Sequence, residues 1–170
     1  ISDKAKYTFD KRDVSLPKFG DDEFKLLCAK CAEGWKKRFS VEILGHKPSA
    51  AELTGVYRDR LRYELNVLKN MGFESYFLLV EDLVTWAKDN GVIVGPGRGS
   101  VGGSLVAYLL GITEVDPIRF GLIFERFINP ERLDLPDADL DFASSVRYKV
   151  VNYLVDKYGA DHVAGISNYS

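Results

Sequence analysis

The chain is poor in the residues that build metal or disulfide frameworks, with two cysteines and two histidines among 170 residues. Cys28 and Cys31 have C-x-x-C spacing, but a zinc site needs two further ligands at matched spacing, and only His46 and His162 are on offer. The pair lies inside a helical period (Phe24, Leu27, Cys28, Cys31, Trp35) and not at a strand-to-helix junction, as a redox pair requires. Two half-buried, reduced thiols that pack as small hydrophobes are expected instead. No apolar run approaches membrane-spanning length and no signal peptide is recognisable, so a cytoplasmic protein without a membrane partner is expected. The chain opens on Ile1 without a Met, which reads as a processed or excised piece. Internal repeats and low-complexity segments are also missing. Positive charge is scarce where a nucleic-acid binder would want it. Net charge is −2, and residues 91–170 carry 7 Lys and Arg against 10 Asp and Glu. A self-sufficient binder shows a basic stripe, so any DNA-neutralising surface must lie largely elsewhere.

What is present describes an ordinary globular chain. Apolar residues make up 46% and charged residues 28%, which excludes disorder and suits one core with an appendage. Residues 1–20 read as an extended lead-in and 21–38 as an amphipathic helix, so that 1–48 forms a boundary region before a main unit at 49–170. Ser49 and Glu52 have capping-box spacing. Leu53, Val56, Tyr57, Leu61, Leu65 and Leu68 then follow a helical period up to Gly72. A more apolar, hence more buried, helix is predicted from Ser75 to Lys88. Val92–Val94 suggests a short buried strand, and Leu105–Leu110 a short apolar helix stopped by Gly111. Asp116-Pro117 predicts the cap of a helix over 118–128. Ser144 or Ser145 predicts the cap of a last helix that ends at Gly159, with Val150, Val151, Leu154 and Val155 inward. The fold class is helix-rich α+β.

Between the strand candidate and the apolar helix, Gly95 to Ser104 holds five glycines and two serines. Bare N–H groups ahead of a helix N-terminus suit a polyphosphate, and Arg98 adds a fork-shaped, permanently charged donor. A Walker A loop is excluded for want of Lys. Gly97, Gly99 and Gly102 match the dinucleotide fingerprint literally, yet Ile112–Pro117 is too short and Pro-broken for the second strand which that fold needs. Glycines kept only for close packing are the alternative.

Asp137, Ala138, Asp139, Leu140 and Asp141 alternate acid with apolar. On an extended segment the three carboxylates share one side, while Ala138, Leu140 and Phe142 face a core. Such a row repels itself unless it is held in open water or screened by cations. The hard, oxygen-seeking cation that suits it is Mg²⁺. A calcium EF-hand is excluded, because the positions that demand Gly and Glu hold Phe142 and Tyr148. Phosphate cradle and carboxylate row together are the parts of a two-metal phosphoryl or nucleotidyl transferase.

Four runs carry a resemblance. They are Gly95-Pro96-Gly97-Arg98-Gly99-Ser100; Gly103-Ser104-Leu105-Val106-Ala107-Tyr108; Leu122 through Phe124-Glu125-Arg126 to Arg132; and Leu135-Pro136-Asp137-Ala138-Asp139-Leu140-Asp141-Phe142. Together with Arg62–Phe73, Tyr76–Leu78 and Lys157–Ile166, they resemble the C family of bacterial replicative DNA polymerases, the polymerase III alpha subunits, over about residues 50–169. The resemblance implies a polymerase-beta-like nucleotidyltransferase palm, here partial, and template-directed DNA synthesis with two Mg²⁺ per complete site. Asp139 and Asp141 match the metal-binding catalytic aspartates, and Asp137 the acid before them. Arg98, Gly99, Ser100, Gly103 and Ser104 match the loop that holds the incoming triphosphate. Arg126 and Arg132 are phosphate candidates, or partners of Glu125 and Glu131. Val101-Gly102 stands where the family usually has small residues such as Ala. Implied partners are primer-template DNA, deoxynucleoside triphosphates, the remaining polymerase domains, the sliding clamp and other replisome subunits. The family's third catalytic aspartate has no counterpart within these residues, so the isolated chain is expected to be inactive. Two alternatives stand beside this reading. One is a catalytically silent palm-like structural or interaction module. The other is a complete small enzyme whose third acid is Glu114, Asp116 or Asp134.

Overall fold

The structure is a computed structural model that describes residues 16–40, 55–132 and 134–163. Three 16-residue helices make the frame: α1 (Glu23–Arg38), α2 (Val56–Met71) and α3 (Glu74–Asp89). Each boundary has a local cause. Asp22 caps α1 by accepting from the Lys25 N–H at 2.9 Å. Gly72, at φ +68°, ends α2 in the left-handed conformation open to glycine. The expected helix 21–38 and the helix from Ser75 to Lys88 are therefore present, within a residue or two. The capping-box pair Ser49 and Glu52 lies outside the described residues.

A five-residue helix, α4 (Leu105–Leu109), runs through the middle of the core against α1 and α2. Leu105, Val106 and Ala107 are fully buried, as are Leu27 of α1 and Leu68 of α2. Burying each large apolar side chain of this kind stabilises the fold by about 1.5–3 kcal/mol. So short a helix cannot stand alone, and its ends are held by other elements. At the C-terminal end Arg38 donates to the Tyr108 carbonyl (3.0 Å) and the Thr113 carbonyl (2.9 Å), with its guanidinium 4.2 Å from the Tyr108 ring centroid. Gly34 permits the crossing of α1 and α4, because a Cβ there would run into the Leu109 carbonyl.

The last helix, α5 (Arg147–Tyr158), docks on α3 through a smaller core of Ala87, Val92 and Val150. Trp86 stacks on Tyr153 there, with centroids 4.3 Å apart. Asp82 of α3 accepts from Tyr153, Tyr158 and Lys157 at 2.6–2.8 Å. Of the residues expected inward on α5, Val150 is buried, Leu154 and Val155 are half-buried, and Val151 is exposed. A 3₁₀ turn at Ser144–Val146 precedes α5, and neither Ser144 nor Ser145 provides a side-chain cap.

Two further expectations need correction. The stretch expected as a helix over 118–128 is a single turn followed by a short 3₁₀ segment at Phe124–Arg126. Asp116 does cap it, accepting from the Ile118 and Arg119 N–H groups, but Gly121 at φ +63° ends the turn at once. Sheet is also scarcer than α+β implies. Among the described residues there are no named strands, only two isolated antiparallel bridges, Val94 with Phe142 and Arg98 with Asp139. No described helix is long and apolar enough to cross a membrane.

Candidate active site

Those two bridges are what bring the glycine-rich stretch to the acidic run. The Gly95 N–H donates to the Asp141 carbonyl at 2.9 Å. Between the bridges, four steps on the glycine side face three on the acidic side, so the glycine side arcs outward as a bulge does. The arc is pinned where the Pro96 carbonyl accepts from the Glu114 N–H at 2.8 Å. A Cβ at Gly97, at φ +96°, would lie 2.7 Å from Thr113 Cγ2.

The acidic run alternates as its sequence requires. Asp137, Asp139 and Asp141 are exposed, while Ala138, Leu140 and Phe142 are half-buried. Ala138 and Leu140 rest on the main core and Phe142 on the smaller one, so the run is anchored at both ends of its apolar side. Tyr76 of α3 supports it from below, its phenol oxygen accepting from the Ala138 N–H at 2.9 Å. Burial, reinforced by the charges of Asp137 and Asp139, pushes the Tyr76 phenol up to about 12.

Glycine lets the two segments close up. A Cβ at Gly99 would lie 2.9 Å from Asp139 Oδ2, and one at Gly95 would lie 3.0 Å from Asp141 Cβ. Arg98, mostly exposed, donates to Asp141 Oδ1 at 3.0 Å. The pair is open to water and worth no more than about 1 kcal/mol. Asp139 and Asp141 thus offer hard oxygen donors on an accessible side, with one displaceable arginine beside them. Mg²⁺ commonly takes one or two carboxylates and keeps several waters, and this donor set fits that demand in part. Among the described residues no group of three or more His, Cys, Asp or Glu side chains converges as a complete cage.

The glycine-rich stretch divides sharply. Arg98 and Gly99 are exposed and Ser100 is half-buried, whereas Val101 through Ala107 are all buried. Gly103 and Ser104, expected beside the triphosphate, are turned into the core. A Cβ at Gly103 would sit 2.5 Å from the Ile123 carbonyl oxygen, and Ser104 is 0% exposed. The Ser104 hydroxyl accepts from the Ala107 N–H (3.1 Å) and donates to Glu64 Oε2 (2.9 Å). Glu64, wholly buried on α2, also accepts from the Leu105 N–H (2.8 Å) and the Val106 N–H (2.9 Å). Arg60 donates to Glu64 Oε1 (2.8 Å), to the Gly103 carbonyl (2.7 Å) and to the Leu122 carbonyl (3.0 Å). Burial raises the Glu64 pKa, against the pull of the backbone N–H groups and Arg60 toward the ionised form. Sequence reasoning missed this pair. Its signal was an acid on the stripe Tyr57, Leu61, Glu64 and Leu68, where helical spacing demands an apolar residue.

Of the remaining candidates, Arg126 and Arg132 are exposed, and among the described residues neither pairs with Glu125 or Glu131. Glu125 instead accepts from Tyr63 at 2.7 Å. Glu114 is held by Arg38 (2.6 Å) and Lys88 (2.8 Å), and Asp116 by its capping bonds and Tyr57 (2.7 Å), so both are engaged away from the acidic run. Asp134 is exposed. Cys28 is half-buried and Cys31 buried, both without a disulfide. Burial pushes both thiols up, as expected of packing cysteines.

Comparison with known proteins places the chain in a family. The family model described as "Bacterial DNA polymerase III alpha NTPase domain" matches residues 25–170. The DNA polymerase III subunit alpha of Yersinia pestis is 54% identical over 156 residues, covering 92% of this chain and 13% of the relative. The protein of the same name in Staphylococcus aureus (strain MRSA252) is 60% identical over 114 residues, covering 67% of this chain and 11% of the relative. The chain therefore spans about an eighth of the relatives it matches. A family match over most of its length, joined to relatives this similar, means that the chain belongs to the bacterial DNA polymerase III alpha family.

Proposed function

We propose that this chain is the part of a replicative DNA polymerase palm, of polymerase-beta-like topology, that carries two metal-binding carboxylates and the loop receiving the incoming deoxynucleoside triphosphate. One observation carries the reading: the bare backbone at Gly99, with Arg98 beside it, closes directly on Asp139 and Asp141. In this reading Asp139 and Asp141 hold Mg²⁺, which when bound lowers the pKa of the primer 3′-hydroxyl and neutralises the departing pyrophosphate. Arg98 trades its contact with Asp141 for a phosphate oxygen. Gly99 and Ser100 open a 3₁₀ turn, whose first N–H groups lack partners within the turn and so are the donors this reading offers to the phosphates. Asp137 adds negative potential at the rim.

The rest of the machinery belongs to the parent protein. A third carboxylate, primer-template contacts, and docking of the clamp and other replisome subunits lie with the remaining polymerase domains, in the cytoplasm. The isolated 170-residue chain is accordingly inactive in primer extension. The test is Asp139→Asn with Asp141→Asn in the parent polymerase. Mg²⁺-dependent extension falls at least about 10²–10³-fold, the size expected when charge stabilisation of a transition state is removed. Unchanged synthesis would instead favour a silent palm-like structural or interaction module.

A further inference from the structure

Glu64 touches none of the exposed aspartates, yet it ties the first turn of α4 to α2. Backbone N–H groups at a helix start attract an anion. Here Leu105 and Val106 already give theirs to the Glu64 carboxylate, and Ser104 gives its hydroxyl. Arg60 completes the tie by holding the Gly103 carbonyl. Residues Gly103–Val106 are thus fixed to α2, while Arg98 reaches Asp141 and the Gly99 backbone lies against Asp139. The 3₁₀ turn Gly99–Gly103 joins the two halves directly, so a tilt of the fixed half shifts Gly99 against Asp139.

We propose that Glu64 is a positioning residue for the nucleotide site: with Arg60 it fixes Gly103–Val106 to α2 and so sets where Arg98–Ser100 stand against Asp139 and Asp141. This inference rests on the polymerase reading above. It assigns Ser104 to the anchor, not to the ligand.

The experiment is steady-state and burst kinetics of the full-length parent polymerase carrying Glu64→Gln. That change keeps the volume of the side chain but sets an NH₂ donor against groups that are themselves donors. The deoxynucleoside triphosphate KM rises about tenfold, while kcat per burst-titrated site stays within about twofold and the primer-template Kd is unchanged. A purely structural role would lower the burst amplitude and leave KM alone. Should Glu64→Gln fail to fold, Ser104→Ala removes the bond to Glu64 together with the cap on the Ala107 N–H and raises KM by about twofold to threefold. An unchanged KM in a folded variant overturns the proposal. Asp139→Asn, run in parallel, separates the two ideas. If it retains synthesis, the polymerase reading itself fails. If it abolishes synthesis while the Glu64 variant keeps its KM, only the positioning role is lost.

Discussion

Glu64 and the Asp139–Asp141 pair face one glycine-rich stretch from opposite sides, in surroundings that differ throughout. Glu64 is at 0% exposure, with two backbone N–H groups, a hydroxyl and a guanidinium on its oxygens. Asp139 and Asp141 are exposed, with Arg98 as the one ion-pair partner found among the described residues. A carboxylate whose lone pairs are all taken has nothing left to give a metal. One lightly held at the surface has that capacity, at the cost of repulsion from its neighbour. What separates an anchoring acid from a ligand-ready one is the number of donors already aimed at it.

The contrast can be broken from either side. Removing the buried acid has the largest effect on folding: Glu64→Ala costs about 3–5 kcal/mol in urea unfolding, because Arg60 and two amide N–H groups lose their partner. Asp139→Asn with Asp141→Asn, the pair proposed to carry synthesis in the parent, leaves the unfolding midpoint of this chain nearly unchanged, since relief of like-charge repulsion offsets the loss of the exposed Arg98–Asp141 pair. Glycine substitutions sharpen the same boundary. Gly103→Ala, forced against the Ile123 carbonyl oxygen at 2.5 Å, destabilises by about 1–3 kcal/mol. Gly99→Ala, at φ +72°, costs about 1–2 kcal/mol and displaces the Asp139 carboxylate, so it weakens Mg²⁺ binding in titration calorimetry of the parent where Gly103→Ala does not.

A third acid, Asp82, stands between these extremes and gives the smallest effect. Burial alone would raise its pKa, but the hydrogen bonds from Lys157, Tyr153 and Tyr158 outweigh burial and hold it below the ordinary carboxylate value. Its contribution is therefore complete above the unfolded-state pKa and fades as pH falls through the lower folded-state value. Thermal melts across the acid range show this decline, and Asp82→Asn flattens it. A profile that keeps its slope in the variant would assign the acid sensitivity elsewhere.

Much of this was legible in the sequence, for identifiable reasons. Acid–apolar alternation at Asp137–Phe142 forces opposite faces in any extended chain, and the structure shows that pattern of exposure. The stops at Gly72 and Gly159 are glycines at positive φ. The helix expected over 118–128 was misjudged because apolar spacing outweighed Gly121, whose left-handed backbone ends the turn. Gly103 and Ser104 share the composition of Gly99 and Ser100. Only tertiary packing against Ile123 and Glu64 separates the two pairs, and local spacing carries no trace of it. Glu64 did leave a trace, an acid where its helix should be apolar. The donor set that explains it comes from residues about forty positions away.

Gly95 and Gly99 leave two notches opposite Asp141 and Asp139. The pitch of the acidic teeth is thus indexed by missing atoms: filling one notch shifts one tooth and spares the other. Asymmetric substitution at these two positions would detune the spacing of the two carboxylates from one side at a time, without altering either aspartate.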